Sequence, residues 1–249
     1  MKVRLDKLLL ERGFAVSLER ARATILAGRV LVSGQKVEKA GAAVDIAADV
    51  RLLGEDSRYV SRGGLKLEKA LEHWQIDVRG KVCLDVGAST GGFTDCLLQH
   101  GAARVIAVDT GHGQIDFRLR QDPRVRLLEK TNARYLTRKQ VGQIVDLAFV
   151  DVSFISATVV LPAITMAGFP DILEQRRGYQ IVVLVKPQFE VAREEVGKGG
   201  IVRDAAAQTT AVEKVRQSLL ALGCAQTDMI ESPILGAEGN REFLLCATF

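Results

Sequence analysis

The residue types best suited to chemistry are concentrated in one stretch, Val82 to Leu98, which reads VCLDVGASTGGFTDCLL. A short apolar run there ends in a turn containing Gly87, Gly91 and Gly92, and helical periodicity follows. Glycines let a backbone approach a ligand closely, and a helix N-terminus offers unpaired N–H groups. A second apolar run ends directly before Asp109, where dinucleotide folds place a carboxylate on ribose hydroxyls. The pattern therefore predicts a nucleoside site.

The spacing of the glycines discriminates between possible ligands. The dinucleotide fingerprint requires glycine at the first, third and sixth positions of the loop, and Ser89 occupies the third. A phosphate-binding loop would end in Gly-Lys-Ser/Thr, a tripeptide that the sequence lacks. What remains is Asp85, a G-x-x-x-G-G loop and Asp109, which together resemble the S-adenosylmethionine site of Rossmann-like methyltransferases. A glycine-rich turn without a ligand is the simpler alternative, and a nicotinamide-linked enzyme is a weaker one.

Charged residues at the ends of other predicted strands could supply the reaction. Asp151 ends the run VDLAFVD, Lys186 follows IVVLV, and Glu242 opens the last apolar run. Lys66 lies near the start of a predicted helix beside the glycine loop. The working residues of open α/β sheets lie at the carboxyl ends of the strands. Each residue alone could be a solvated charge at a strand end, but the four together indicate a reactive site.

These residues require an alternating α/β framework to position them. Strand-like runs cover Val82–Val86, Arg104–Val108, Val125–Leu128, Val145–Asp151, Gln180–Lys186, Cys224–Ile230 and Glu242–Phe249. Helix-like runs cover Leu65–Trp74, Ile155–Ala167 and Ala205–Leu222. This alternation predicts an α/β fold with a doubly wound, mostly parallel sheet. The last two strands, which no helix separates, are predicted to form an antiparallel pair at the edge.

The first 56 residues are predicted to be a small α+β domain. Its first helix has an apolar stripe of Leu5, Leu8, Leu9 and Phe14. Ser17 is a plausible N-cap for a second helix over Leu18–Ala27, and residues 30–37 (VLVSGQKV) have the pattern of a hairpin. A turn-rich stretch without periodicity follows. We therefore expect a linker over residues 57–64 and a second domain over residues 65–249.

The net charge of +4 is unevenly distributed along the chain. Residues 1–62 hold 12 Lys and Arg against 8 Asp and Glu, whereas residues 63–249 hold 22 of each. A basic excess confined to one small segment suggests that this segment contacts a polyanion. The candidate phosphate contacts are Arg4, Lys7, Arg20, Arg22, Arg29 and Lys36. An ordinary solvated charged face is the alternative.

Resemblances to three known families account for both predicted domains. The segments RLDKLLLERG and SLERARATILAGRVLVSGQKV resemble the S4 RNA-binding domain. The segment VGKGGIVRD (Val196–Asp204) resembles the TlyA family, and four further segments, SRGGLKL, FVDVSF, LVKPQFE and GNREFLL, resemble FtsJ-type methyltransferases. The last four resemble the Lys-Asp-Lys-Glu tetrad of FtsJ-type ribose methyltransferases, which places that tetrad at Lys66, Asp151, Lys186 and Glu242. The whole chain resembles the TlyA family, often labelled haemolysins. The resemblance implies cytidine 2′-O-methylation of ribosomal RNA, with S-adenosylmethionine as cofactor and ribosomal RNA or ribosomal subunits as partner.

The tetrad has a chemical rationale of its own. A ribose hydroxyl is a poor nucleophile, so a base must take its proton as it attacks the methyl group. A lysine can be that base if burial and a neighbouring cation favour its neutral form. We assign Lys186 as the base and Lys66 as the cation, with Asp151 and Glu242 orienting the ammonium and the hydroxyl; the reverse assignment of the lysines stays open. The expected cofactor contacts are Asp85, Gly87, Ala88, Ser89, Gly91, Gly92, Phe93, Asp109 and Asn132.

Other functions find less support in the sequence. The four cysteines and three histidines are scattered, so we expect reduced core cysteines and no metal site. The charged first residues and the lack of a long apolar run predict a cytoplasmic protein with neither signal peptide nor membrane span. A pore-forming toxin would need one of these. A catalytically silent RNA-binding or ribosome-assembly factor remains an alternative, and the oligomeric state is left open.

Overall fold

The computed structural model describes residues 2–15, 17–52, 58–236 and 238–249. The chain divides into two compact units, Met1–Arg58 and Tyr59–Phe249. The predicted linker over 57–64 begins at Ser57, which lies outside the described residues. Tyr59 is buried in the core of the second unit, and a helix begins at Gly63. The predicted limits of 1–56 and 65–249 stay a prediction, and the second compact unit starts six residues before Leu65.

The first unit contains two helices and two small antiparallel sheets. Its elements are β1 (Lys2–Arg4), α1 (Leu5–Glu11), α2 (Leu18–Leu26), β2 (Val30–Val32), β3 (Gln35–Lys36), β4 (Ala43–Asp45) and β5 (Val50–Leu52). β1 pairs with β4, and the other sheet has the order β3-β2-β5. Both predicted helices and the hairpin are present, and Ser17 caps α2 by accepting a hydrogen bond from the Arg20 N–H. The three-residue strands β1, β4 and β5 were not predicted, because they are too short for a period of two to be visible.

The core of the first unit follows the predicted stripe with one exception. Leu5, Leu8 and Leu9 are fully buried and pack in a cluster with Ile25. Phe14, which was predicted to continue the stripe, is 37% exposed. That prediction was wrong because α1 ends at Glu11 and the backbone turns away before Phe14.

The second unit alternates strands and helices. Its strands are β6 (Val82–Val86), β7 (Arg104–Val108), β8 (Val125–Leu128), β9 (Leu147–Val150), β10 (Gln180–Val185), β11 (Gln226–Glu231) and β12 (Phe243–Thr248). Its helices are α3 (Gly63–His73), α4 (Gly92–Gln99), α5 (Phe117–Gln121), α6 (Arg138–Val141), α7 (Ala157–Gly168), α8 (Pro187–Glu190) and α9 (Ala205–Ala221). Short 3₁₀ turns occur at Ala133–Tyr135, Leu173–Arg176 and Arg193–Glu195.

The strands form a single sheet with the order β11-β12-β10-β9-β6-β7-β8. Strands β10, β9, β6, β7 and β8 pair in parallel, whereas β12 is antiparallel to both β10 and β11. The predicted mostly parallel α/β sheet with an antiparallel strand near its edge is therefore confirmed. Val86 pairs with Val150, and Val185 pairs with Phe243. The C-terminal ends of β6, β9 and β10 and the start of β12 therefore lie at the same end of the sheet's strands.

Apolar residues cover both faces of the sheet, as a doubly wound fold requires. Leu84 and Ile106 belong to one buried cluster, whereas their chain neighbours Cys83 and Val105 belong to the other. Within the described residues, no group of three or more His, Cys, Asp and Glu could hold a metal ion. No helix in the described ranges has the length and apolar character needed to cross a membrane.

Candidate active site

The glycine-rich loop packs against its neighbours so closely that side chains would not fit. A Cβ on Gly87, whose φ is +91°, would lie 2.2 Å from the main-chain oxygen of Asp151. A Cβ on Gly92 would lie 2.3 Å from the Ser61 hydroxyl. The glycines therefore bring together the loop after β6, the end of β9 and the segment before α3. Ser89, at the position where a dinucleotide fold has glycine, also has a positive φ of 49°.

Asp85 lies beneath this loop and is fully buried. Its Oδ2 accepts a hydrogen bond of 2.6 Å from the Thr94 hydroxyl, while its Oδ1 has no hydrogen-bond partner within the described ranges. Burial raises the pKa of Asp85 to about 7, and the Thr94 hydrogen bond opposes that shift. Asp85 and Gly91, both predicted to contact the cofactor, do not line either of the two cavities described next.

A cavity of about 270 Å³ lies on one side of the loop and contains Asp109 and Asn132. The Asp109 carboxylate accepts hydrogen bonds from the N–H groups of Ser89 and Gly111, at 2.7 and 2.6 Å. The Asn132 side-chain oxygen accepts from the Arg134 N–H at 3.0 Å, which fixes the orientation of its amide. Both predicted nucleoside contacts therefore face the same space with defined side-chain positions.

A larger cavity of about 420 Å³ lies on the other side of the loop and contains the predicted tetrad. Lys66 from α3, Asp151 after β9, Lys186 after β10 and Glu242 before β12 all line it. Of the predicted loop contacts, the lining includes Gly87, Ala88, Ser89, Gly92 and Phe93. Because Gly87, Ser89 and Asp151 line both cavities, one elongated ligand could occupy them together.

The four charges form two ion pairs. The Nζ atom of Lys66 lies 2.5 Å from Oε2 of Glu242, and these side chains are 11% and 3% exposed. The Nζ atom of Lys186 lies 2.5 Å from Oδ1 of Asp151. Lys186 also donates a hydrogen bond of 2.8 Å to the Ser153 hydroxyl. Each lysine is thus held beside its own carboxylate on the wall of this cavity.

Several lining residues were not anticipated from the sequence. Phe154 is 92% exposed, has a φ of +64°, and its ring lies 5.3 Å from that of Phe189. Ser61, Arg62 and Leu235 also line the larger cavity. An apolar residue beside a strand is ordinarily assigned to the core, so the one usable signal was the proximity of Phe154 to Asp151 in the chain.

The segment Val196–Asp204, which resembles a family motif, borders the same cavity through Val196 and Gly200. Asn240, which is 1% exposed, donates to the Gly200 carbonyl at 2.8 Å and accepts from the Val202 N–H at 2.9 Å. Asn240 lies two residues before Glu242. This amide therefore connects the segment to the chain that carries a tetrad carboxylate.

The predicted RNA contacts of the first unit occupy different environments. Arg4 and Arg22 both pair with Asp6, at 2.6 and 3.1 Å, and these arginine side chains are about half exposed. The two guanidinium groups hold the pKa of the buried Asp6 carboxyl well below its usual range. Lys7 is exposed and Lys36 pairs with Glu38. Arg20 and Arg29 are half-buried, so the structure brings Arg4 and Arg22 together but does not expose all six side chains equally.

Comparison with known families finds a match for each unit. The FtsJ-like methyltransferase family matches residues 59–249, and the S4 domain matches residues 3–50. Together these regions cover most of the described chain.

Relatives of the whole chain carry methyltransferase and hemolysin names. A Bacillus subtilis (strain 168) protein provisionally named rRNA methyltransferase YqxC is 44% identical over 98% of this chain and 85% of its own length. The Mycobacterium tuberculosis protein named 16S/23S rRNA (cytidine-2′-O)-methyltransferase TlyA is 43% identical over 98% of this chain and 89% of its own. A solved structure from Streptococcus thermophilus, provisionally named a hemolysin, has a TM-score of 0.73 and 41% identity, and the match covers 99% and 88% of the two chains.

Proposed function

Because the chain belongs to the FtsJ-like methyltransferase family and also carries an S4 domain, we propose that it methylates ribose 2′-hydroxyls of ribosomal RNA, with cytidine as the target nucleotide and S-adenosylmethionine as the methyl donor. The observation that carries the proposal is the convergence of Lys66, Asp151, Lys186 and Glu242 on one cavity beside the glycine loop. We expect the protein to act in the cytoplasm, where ribosomal RNA is available.

The residues of the smaller cavity fit the nucleoside part of this cofactor. A carboxylate offers about four lone-pair sites, and the N–H groups of Ser89 and Gly111 use two of those on Asp109. Asp109 could therefore still accept hydrogen bonds from ribose hydroxyls. Asn132, with its oxygen engaged, would present its NH₂ group to an acceptor nitrogen of the base. The bound cofactor would supply a methyl group on a positively charged sulfur.

We assign Lys186 as the base of the reaction. Lys186 lines the larger cavity, and the partners that fix its Nζ, Asp151 and Ser153, line the same space. A neutral amine there would take the hydroxyl proton, and the Asp151 carboxylate would then stabilise the ammonium that forms. The ion pair of Lys66 with Glu242 would orient the target hydroxyl. The reverse assignment of the two lysines is tested by the variants in the Discussion.

The S4 domain supports RNA as the substrate class. Arg4 and Arg22 present half-exposed guanidinium groups whose orientation Asp6 fixes, and guanidinium groups bind phosphate in a bidentate manner. Lys7 adds an exposed ammonium on α1. This side of the first unit would contact phosphates of folded RNA without reading its sequence.

The deciding experiment is to incubate the full-length protein and methyl-labelled S-adenosylmethionine with ribosomal subunits that lack the modification. We expect label on a ribose, mapped by nuclease digestion and mass spectrometry of the nucleosides. Label on a base would contradict the tetrad assignment. RNA binding without any label would favour a silent ribosome-assembly factor, and lysis of erythrocytes by protein without methyl transfer would favour the hemolysin name.

A further inference from the structure

Asp151 and Lys186 must keep a fixed separation if they act as a pair. Strands β9 and β10 are hydrogen-bonded neighbours and the Asp151 N–H donates to the Val86 main-chain oxygen at 2.8 Å, so the sheet holds the main chain at both residues. The segments that follow them lie outside the sheet. Asp151 begins the segment between β9 and α7, and Lys186 lies between β10 and α8. Their ion pair is 2.5 Å long, so a shift of about 1 Å in either segment would break its geometry. The side chains stay aligned only if the segments after these residues, namely residues 152–156 and α8, are also fixed.

Glu190, the last residue of α8, contacts the start of α7 directly. Its Oε1 accepts a hydrogen bond of 2.6 Å from the Ala157 N–H, and its Oε2 accepts one from the Ser156 hydroxyl. Ser156 is the N-cap of α7 and Ala157 is its first residue. The carboxylate at the end of α8 thus accepts hydrogen bonds from the N-terminus of α7, where an anion is favoured by the helix dipole.

Burying the Glu190 carboxyl group costs desolvation free energy, which is consistent with a specific role for its contacts with α7. The side chain is 2% exposed, and burial raises the pKa of its carboxyl. Lys214 from α9 provides partial compensation, with its Nζ 3.7 Å from Oε2 and hydrogen-bonded to the Glu190 main-chain oxygen at 2.6 Å. Glu190 is not among the residues that line the larger cavity, although Gln188 and Phe189 are. It therefore cannot act on the substrate directly.

Resting on the proposed function, we propose that Glu190 is a positioning residue that fixes the segment after Asp151, residues 152–156, against α8, the helix that follows Lys186. Two contacts nearer the cavity depend on the same alignment, namely the hydrogen bond from Lys186 to Ser153 and the ring contact between Phe154 and Phe189. Without the Glu190 carboxylate, the N-terminus of α7 loses an acceptor and residues 152–157 gain freedom. The charges then remain in the cavity, but in the wrong geometry.

The test compares Glu190→Ala and Glu190→Gln in the full-length protein. Under single-turnover conditions with saturating RNA, Glu190→Ala should slow methyl transfer by about 10–100-fold, the usual effect of displaced catalytic groups. The Kd for S-adenosylmethionine should rise by less than about threefold, since Asp109 and the glycine loop are untouched. Glu190→Gln should recover much of the rate, because an amide oxygen can still accept from the Ala157 N–H.

Hydrogen exchange supplies a readout that does not depend on activity. In Glu190→Ala, the amides of residues 153–158 should exchange faster, whereas those of β6 and β7 should be unchanged. Thr137→Ala, which removes the N-cap of α6 outside both cavities, is the matched control and should leave the transfer rate within about twofold of wild type.

Three results would overturn the proposal: a folded Glu190→Ala protein with a near-wild-type rate, no change in exchange at residues 153–158, or a Glu190→Gln protein as slow as Glu190→Ala. If the wild-type protein transfers no methyl group, the proposed function fails. The exchange measurement would still decide whether Glu190 fixes the segment after Asp151.

Discussion

Replacing Lys186 by arginine separates the charge of this side chain from its capacity to act as a base. An arginine could keep the ion pair with Asp151 and a hydrogen bond to Ser153, because a guanidinium has five N–H donors. It would keep its proton at any accessible pH, so it could not take one from a hydroxyl. The loss in rate should therefore report base catalysis with little contribution from folding or charge.

The expected loss is that of a general base, about 10²–10⁴-fold in the rate of methyl transfer. At 1.36 kcal/mol for each factor of ten, this is about 3–5 kcal/mol of transition-state stabilisation. A loss of that size exceeds the contribution of a single hydrogen bond to a charged group, about 1.5–3 kcal/mol. The upper part of the range would thus distinguish a lost base from a lost contact with Ser153.

The assay is transfer of labelled methyl groups to saturating RNA with enzyme in excess, alongside calorimetry of cofactor binding. Lys69→Arg is the control, because Lys69 lies on the exposed side of α3, whose other face carries Lys66 into the cavity. It should behave as wild type. A Lys186→Arg enzyme with near-wild-type turnover and normal cofactor affinity would show that Lys186 supplies only charge, and Lys66 would then become the candidate base.

Three further predictions concern the cofactor, the RNA and stability. Asp109→Ala should weaken S-adenosylmethionine binding by about 10–100-fold in calorimetry, since it removes acceptors worth roughly 1.5–3 kcal/mol; unchanged affinity would refute the assignment. The double variant Lys7→Gln/Lys36→Gln should weaken RNA binding and reduce the slope of log K against log salt by about two if both cations contact phosphates, and an unchanged slope would exclude them. Because the pKa of Asp85 is raised from 3.8 to about 7 on folding, its contribution to the free energy of unfolding should fall as pH rises from about 4 through about 7. Asp85→Asn should flatten that dependence and be relatively more stable at about pH 8, which denaturant unfolding at several pH values would measure.

The sequence predicted the sheet well because its central strands, such as β6 and β7, are almost entirely buried. The runs over β6, β7 and β8 coincide with the strands in the structure, since short, predominantly apolar stretches bounded by turn residues are typical of strands. The short helix α8 was not predicted, because four residues show no helical periodicity. The prediction that Phe14 continues the buried stripe of α1 was also wrong for a local reason, because α1 ends at Glu11.

The sequence also identified the charged residues that line the cavity, but not how they pair. Lys66 was expected to act on Lys186 as a neighbouring cation. In the structure each lysine pairs with a carboxylate, and Lys66 meets Glu242 across 176 positions of the chain. Such a partner depends on which strands are neighbours, which periodicity does not specify. The buried contacts of Glu190 were hidden for the same reason, because its partners lie 33 and 34 positions away.

The direction of β12 explains why the four predicted tetrad residues meet at the carboxyl ends of the parallel strands. Asp151 and Lys186 follow the parallel strands β9 and β10, whereas Glu242 precedes its strand. A residue that precedes a parallel strand would lie at the other end of the strands, one strand of about four to six residues away. Since β12 is antiparallel to β10, with Phe243 opposite Val185, its start lies where the parallel strands end. The reversed strand is therefore what allows Glu242 to reach Lys66.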